Sequence, residues 1–199
     1  MPAKTSSRRQ AEPVTPLHPP VPLAALLKSH PESAFDYLEF RLIVAGMAAR
    51  MAAERATEED RVHLTKAYEA MVAADPGIDP AQETDGDAEF HLTIYAATHN
   101  VVMEHIMRSI FALLRRDVFY ERSRLYRREG VREVLMRQHK AIYEAIMNRN
   151  AEAARIAAEK HIQYTREALQ ESRVADERQG VAMRRAGRDS LAQVTDRDP

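Results

Sequence analysis

The stretch DAEFHLTIYAATHNVVM, residues 87–103, decides how this chain is read. Its apolar residues return at steps of three and four instead of alternating, which is the signature of a helix with one face turned inward. Asp87 and His91 stand four residues apart and therefore lie about 6 Å from each other up one side of that helix. The same face carries Phe90, Ile94 and Thr98. An ionisable pair is thus directed at a core, where unpaired charge is costly and demands a compensating partner.

Outward from this segment everything reads as helix, because Ala, Leu, Glu, Arg and Met dominate. A first helix is expected from about Ala34 to Arg55, with Leu38, Leu42, Ala45, Ala49 and Ala52 inside. Thr57 caps a second ahead of Leu64, Tyr68 and Met71, with Asp60 as the reciprocal partner, and Asp75-Pro76-Gly77 ends it. The third runs from about Ala81 to Thr98. A fourth begins near Asn100 and reaches about Tyr126, and a fifth spans about Val131 to Met147. Asn150 caps a sixth that ends near Arg173. Short connections make neighbours antiparallel, so the fold class is all-α, an antiparallel bundle of about six helices.

Residues 1–28 hold six of the ten prolines and show no periodicity, so they are expected to form a disordered arm. From residue 176 to 199 the chain is rich in Arg, Asp and Gln and poor in large apolar residues, and is expected to be a disordered tail. The helical domain is then 29–175. Apolar residues make up 45% and charged residues 30%, a balance that supports one folded domain. A formal net charge of −1 gives the whole chain no attraction for phosphate backbones or anionic lipid. Leu42 to Ala49 is the longest apolar run, less than half of the ~20 residues a bilayer crossing needs. Prolines interrupt the N-terminal region, so no signal peptide is expected, and a cytoplasmic location fits the lack of cysteine.

Without cysteine, only His, Asp and Glu remain to hold a transition metal. His139 falls on the apolar stripe Val131, Val134, Leu135, Ile142 and Ile146. His161 lies among the small residues Ala154, Ala157, Ala158, Thr165 and Ala168, which leave room around an imidazole. Three histidines and one carboxylate on the inner faces of three helices suit one divalent transition metal, Zn, Ni or Mn. Any one of these histidines alone reads as a hydrogen-bonded core residue; it is the set that points to a metal. His18, His30, His63 and His105 do not share the inward placement. Arg41 begins on the inner face of the first helix, where its planar fork suits a carboxylate; snorkelling, or a structural pair with Glu39 or another acid, explains it equally. The Arg115–Arg132 basic stretch is interleaved with Asp117, Glu121 and Glu129 and reads as a solvated helix end.

Five stretches carry a resemblance: HPESAFDYLEFR at 30–41, AAERATEED at 52–60, DAEFHLTIYAATHNVVM at 87–103, QHKAIYEAI at 138–146 and AARIAAEKH at 153–161. In order and spacing the region from His30 to about Glu171 resembles the FCD ligand-binding domain of GntR-family regulators of the FadR subfamily. HPES, THNVV and EAIMNRNAEAAR are most similar to the LldR-like and PdhR-like branch. The resemblance implies a divalent metal held by Asp87, His91, His139 and His161, the four positions that the inward faces had already marked. It also implies a small carboxylate effector of the lactate, pyruvate or glycolate kind, gripped by Arg41, with Asn100 near the cavity; an ordinary helix N-cap explains Asn100 as well.

Members of that family carry a winged helix-turn-helix ahead of this domain, whereas only about thirty residues precede the match here. PLAALLKSHPES, residues 22–33, resembles the linker that follows the DNA reader. DNA binding is therefore expected only through a winged helix-turn-helix not present in this chain, and the domain is expected to form a homodimer. Two other classes stay open. A metal with open positions could activate water or dioxygen for an enzyme acting on small acids, although no nucleophile elbow or phosphate loop is present. A dimerising partner that captures full-length relatives is the other.

Overall fold

The computed structural model describes residues 22–30, 33–74, 80–117 and 130–195. Among them are seven helices and no strand: α1 Leu23–Ser29, α2 Ser33–Arg55, α3 Glu58–Ala73, α4 Pro80–Ala96, α5 Val101–Asp117, α6 Val131–Met147 and α7 Ala151–Thr195. No helix among the described residues is long and apolar enough to cross a membrane.

Helix boundaries follow local chemistry. Thr57 and Asp60 form the reciprocal cap: the Asp60 N–H donates to Thr57 Oγ1 at 3.2 Å, and the Thr57 N–H donates to Asp60 Oδ2 at 2.8 Å. Two reversals share one device, a non-glycine residue in the left-handed region followed by an asparagine cap. His99 (φ 52°) precedes Asn100, whose Oδ1 accepts from the Met103 N–H at 3.1 Å; Arg149 (φ 54°) precedes Asn150, whose Oδ1 accepts from the Ala153 N–H at 3.1 Å. The His99 imidazole also reaches Asp60 Oδ2 at 2.8 Å, tying the α4–α5 turn to the start of α3.

The most extensive packing is of α2 on α7, then of α6 on α7. Ala45, Ala48, Ala49 and Ala52 line the inner face of α2, and small residues let helix axes approach. Gly46 shows how closely, since a Cβ there would sit 2.8 Å from Glu159 Cγ on α7. Leu64, Met71, Phe90, Ile94, Met107, Phe111, Ile142 and Ile146 complete one core contributed by α2 to α7.

Two expectations change. Residues 23–28, assigned to the arm, belong to α1: the alanine- and leucine-rich LAALLKS follows Pro22, which presets φ for a helix start. The last helix was expected to stop near Arg173 with disorder from 176, but α7 continues to Thr195. Its Ala, Arg, Glu and Gln are strong helix formers, and no proline occurs before Pro199. Scarcity of large apolar residues removed its burial, leaving Arg178 and Val181–Arg184 exposed, but did not remove its helicity. Most of the expected arm, residues 1–21, the Asp75-Pro76-Gly77 break and the end of the fourth expected helix beyond Asp117 lie outside the described residues.

Candidate metal centre

Helix α4 presents Asp87 and His91 on successive turns, α6 brings His139 and α7 brings His161. All four side chains are buried, and one donor atom from each lies within 4.8 Å of the others. His139 Nε2 stands 3.2 Å from Asp87 Oδ1, and His91 Nε2 stands 3.8 Å from the same oxygen. The imidazole centroids lie 4.4 Å (His139–His161), 5.1 Å (His91–His161) and 5.3 Å (His91–His139) apart. Phe90 meets His139 edge-on at 5.4 Å, which makes one wall of the site apolar.

The donor set is short of internal partners. His139 Nδ1 and Nε2 and His161 Nε2 are buried without a hydrogen bond, an arrangement native cores avoid unless a ligand completes it. Burial, then the fields of His139 and His91, push the His161 pKa well below its ordinary 6.5, opposed by Asp87. The ring is therefore neutral at physiological pH. Its Nδ1–H donates to Gln138 Oε1 at 3.3 Å, which leaves the Nε2 lone pair facing inward. A neutral imidazole oriented through its second nitrogen is the form that ligates a metal. The residues present thus fit a divalent transition ion with N₃O ligation.

Arg41 adjoins this cluster on α2, 1% exposed. Burial pulls its pKa down, but Tyr37, Tyr95 and Asp87 outweigh that effect and hold it above the ordinary value, so the guanidinium is charged. It lies over the Phe111 ring at 5.0 Å, with the field of the Tyr95 side chain acting on it. Its Nε and Nη2 have no hydrogen-bond partner. The snorkelling alternative fails at this burial, and Glu39 is exposed on another face. Beside His91, a cavity of about 10 Å³ is bounded by Ala45, Ala48 and Ala49 of α2, Tyr95 of α4 and Ala158 of α7. That is roughly room for one water.

The four metal candidates and Arg41 are brought together. Asn100 is not part of the cluster: its carboxamide caps α5. His30, His63 and His105 are exposed, as their sequence context indicated. Sequence reasoning missed Tyr95 and Gln138. Tyr95 continues the four-residue ladder of Asp87 and His91, a signal open to reading. Gln138 had none, because its contact with His161 depends on how α6 meets α7. Of the basic stretch, Arg132 is described: it donates to Glu83 Oε1 at 2.6 Å and to the Ala74 carbonyl at 3.0 Å, closing the lower end of the bundle.

The FCD domain family model matches residues 36–164. The chain is 35% identical over 143 residues to the "Putative L-lactate dehydrogenase operon regulatory protein" of Escherichia coli (strain K12), covering 72% of this chain and 54% of that protein. It is 33% identical over 151 residues to the Glc operon transcriptional activator of the same organism, covering 74% of this chain and 59% of that protein. The chain therefore spans little more than half the length of these curated relatives. Each of the two is named as a regulator rather than an enzyme. A solved structure, Streptococcus agalactiae GntR, superposes with a TM-score of 0.60 at 23% identity, covering 72% of this chain and 63% of that one, which supports the helical fold. The chain belongs to the FCD-domain family, and the curated relatives it matches are named as operon regulators.

Proposed function

We propose that this domain is a metal-dependent sensor of small hydroxy- or keto-carboxylates, the regulatory part of a transcription regulator acting in the cytoplasm. The observation that carries this reading is the buried, charged Arg41 with two unsatisfied N–H groups beside a four-donor N₃O cluster. A buried guanidinium with two N–H groups unsatisfied is costly, and a carboxylate matches its fork. One divalent transition ion, Zn, Ni or Mn, would be held by Asp87, His91, His139 and His161, supplying positive charge and open positions for an oxygen of the acid. Arg41 then takes the carboxylate, its guanidinium resting on the Phe111 ring, and Phe90 and Phe111 keep water out. The name of a relative that regulates an L-lactate dehydrogenase operon favours a three-carbon hydroxy acid.

In the closed form the cavity of about 10 Å³ does not admit such an acid. Entry therefore requires α2 to move away from α4 and α7, and this movement is the signal. DNA contact would come from a winged helix-turn-helix outside this chain. Isothermal titration of metal-loaded protein with lactate, pyruvate, glycolate and citrate tests the reading: saturable heat from at least one acid, lost on chelation, is expected. Absence of heat from all four refutes carboxylate sensing.

A further inference from the structure

Past Arg173, whose guanidinium lies over the Phe35 ring at 4.9 Å, α7 runs on to Thr195. Val174, Arg178, Val181, Met183 and Arg184 in this extension are all exposed. Its residues 178–188, RQGVAMRRAGR, hold four arginines and no acid. The net charge of −1 for the whole chain therefore conceals a local excess of positive charge on a helix that the bundle does not cover.

This run differs from the other charged surfaces. Elsewhere cations are neutralised by an acid one helical turn away: Arg50 by Glu54 at 3.1 Å, Arg61 by Glu58 at 3.4 Å, Arg108 by Glu104 at 2.8 Å and Lys140 by Glu144 at 3.7 Å. No acid stands three or four residues from Arg178, Arg184 or Arg188 in the sequence, and Arg185 has one, Asp189. A face kept only for solubility mixes the two signs, as the bundle does, whereas an unmixed run on a projecting helix is the electrostatic footprint of a polyanion site. Val181 and Met183 are the large apolar residues of the run, with no aromatic or leucine beside them, which is too little apolar surface to seat a helix in a lipid interface. The run spans ~15 Å of helix, and a duplex laid alongside offers on the order of nine phosphate charges over that length.

We infer that residues 178–188 of α7 form a basic arm that lies against the phosphate backbone of double-stranded DNA, holding it without reading its sequence. The choice of duplex DNA as the polyanion rests on the reading of the domain as part of a transcription regulator. Base recognition stays with the winged helix-turn-helix outside this chain, and the arm adds salt-sensitive affinity.

Fluorescence anisotropy of a labelled duplex of arbitrary sequence, titrated with the full chain, tests the arm. Four neutralised phosphates give a slope of log affinity against log salt of about −3.6, so affinity should fall about a hundredfold between 50 and 200 mM salt. Arg178→Gln, Arg184→Gln, Arg185→Gln and Arg188→Gln combined keep helix propensity and should remove binding at the lower salt. Arg184→Gln with Arg185→Gln alone should halve the slope. A control with the same loss of charge on the bundle combines Lys66→Gln, Arg137→Gln, Lys140→Gln and Lys160→Gln, at residues that are all exposed. It should bind within about twofold of the parent, because charges farther away than a Debye length are screened. No binding at the lower salt, an equal loss in the bundle control, or tighter capture by phosphatidylserine vesicles than by the duplex overturns the arm. Carboxylate titration of the same proteins keeps the two readings apart: heat without DNA binding removes the arm and leaves the sensor, and arm-dependent DNA binding without heat does the opposite.

Discussion

Asp87→Asn separates metal ligation from packing. The amide is nearly the shape of the carboxylate and fills the same place, 3.2 Å from His139 Nε2. Without metal, the variant should stay within about 1 kcal/mol of the parent. Four-ligand sites bind with roughly 10–16 kcal/mol, so one ligand carries about 3 kcal/mol, or about a hundredfold in affinity. At free metal a hundred times the parent dissociation constant, the parent gains about 2.7 kcal/mol, or about 5–10 °C for a chain of this size. At the same metal concentration the variant gains about 0.4 kcal/mol, or 1–2 °C. Melts followed at 222 nm with Zn, Ni or Mn and with chelator measure both, and metal analysis of purified protein gives the occupancy. Equal metal-induced shifts in parent and variant, or none in the parent, would refute the ligand assignment.

Arg41→Lys should abolish carboxylate heat in titration while leaving metal content unchanged, because a point charge replaces the bidentate fork. Gln138→Ala should weaken metal binding about tenfold or more by releasing the His161 ring, a loss competition with a chromophoric chelator can read. Metal-free protein should lose stability on acidification. His161 is held neutral in the fold, whereas in the unfolded chain it protonates below about 6.5. Unfolding then takes up a proton, so stability falls as pH drops through 6.5, by up to about 1.4 kcal/mol per pH unit for this group. Urea titrations between pH 5 and 8 with chelator measure the slope, and a flat profile would refute a neutral buried His161.

What the sequence revealed and what it hid divide on physical lines. Asp87 and His91 were legible because one helix fixes their spacing, and His139 and His161 because each breaks an otherwise apolar or small-residue stripe. The Thr57 and Asn150 caps follow from chemistry within four residues. Tyr95 lay on the same ladder yet was passed over, because a tyrosine on an apolar face reads as core. Gln138 depends on the relative placement of α6 and α7, which no local pattern carries. The length of α7 was misjudged because burial was taken as a condition for helix, whereas propensity alone sustains the turns past Arg173.

The depth of the four-donor cluster sets a clock. His139 and His161 have no exposed surface and Asp87 has 1%, so an ion seated among them departs only when α4, α6 and α7 part, a sub-global opening whose frequency follows the stability of the bundle. Stripping by chelator should then be slow, independent of chelator concentration once that is high, and faster in any variant that loosens the core. Metal supply in the cell would be registered once, when the chain folds, and minute-to-minute information would have to arrive through smaller openings such as the alanine-lined seam of α2.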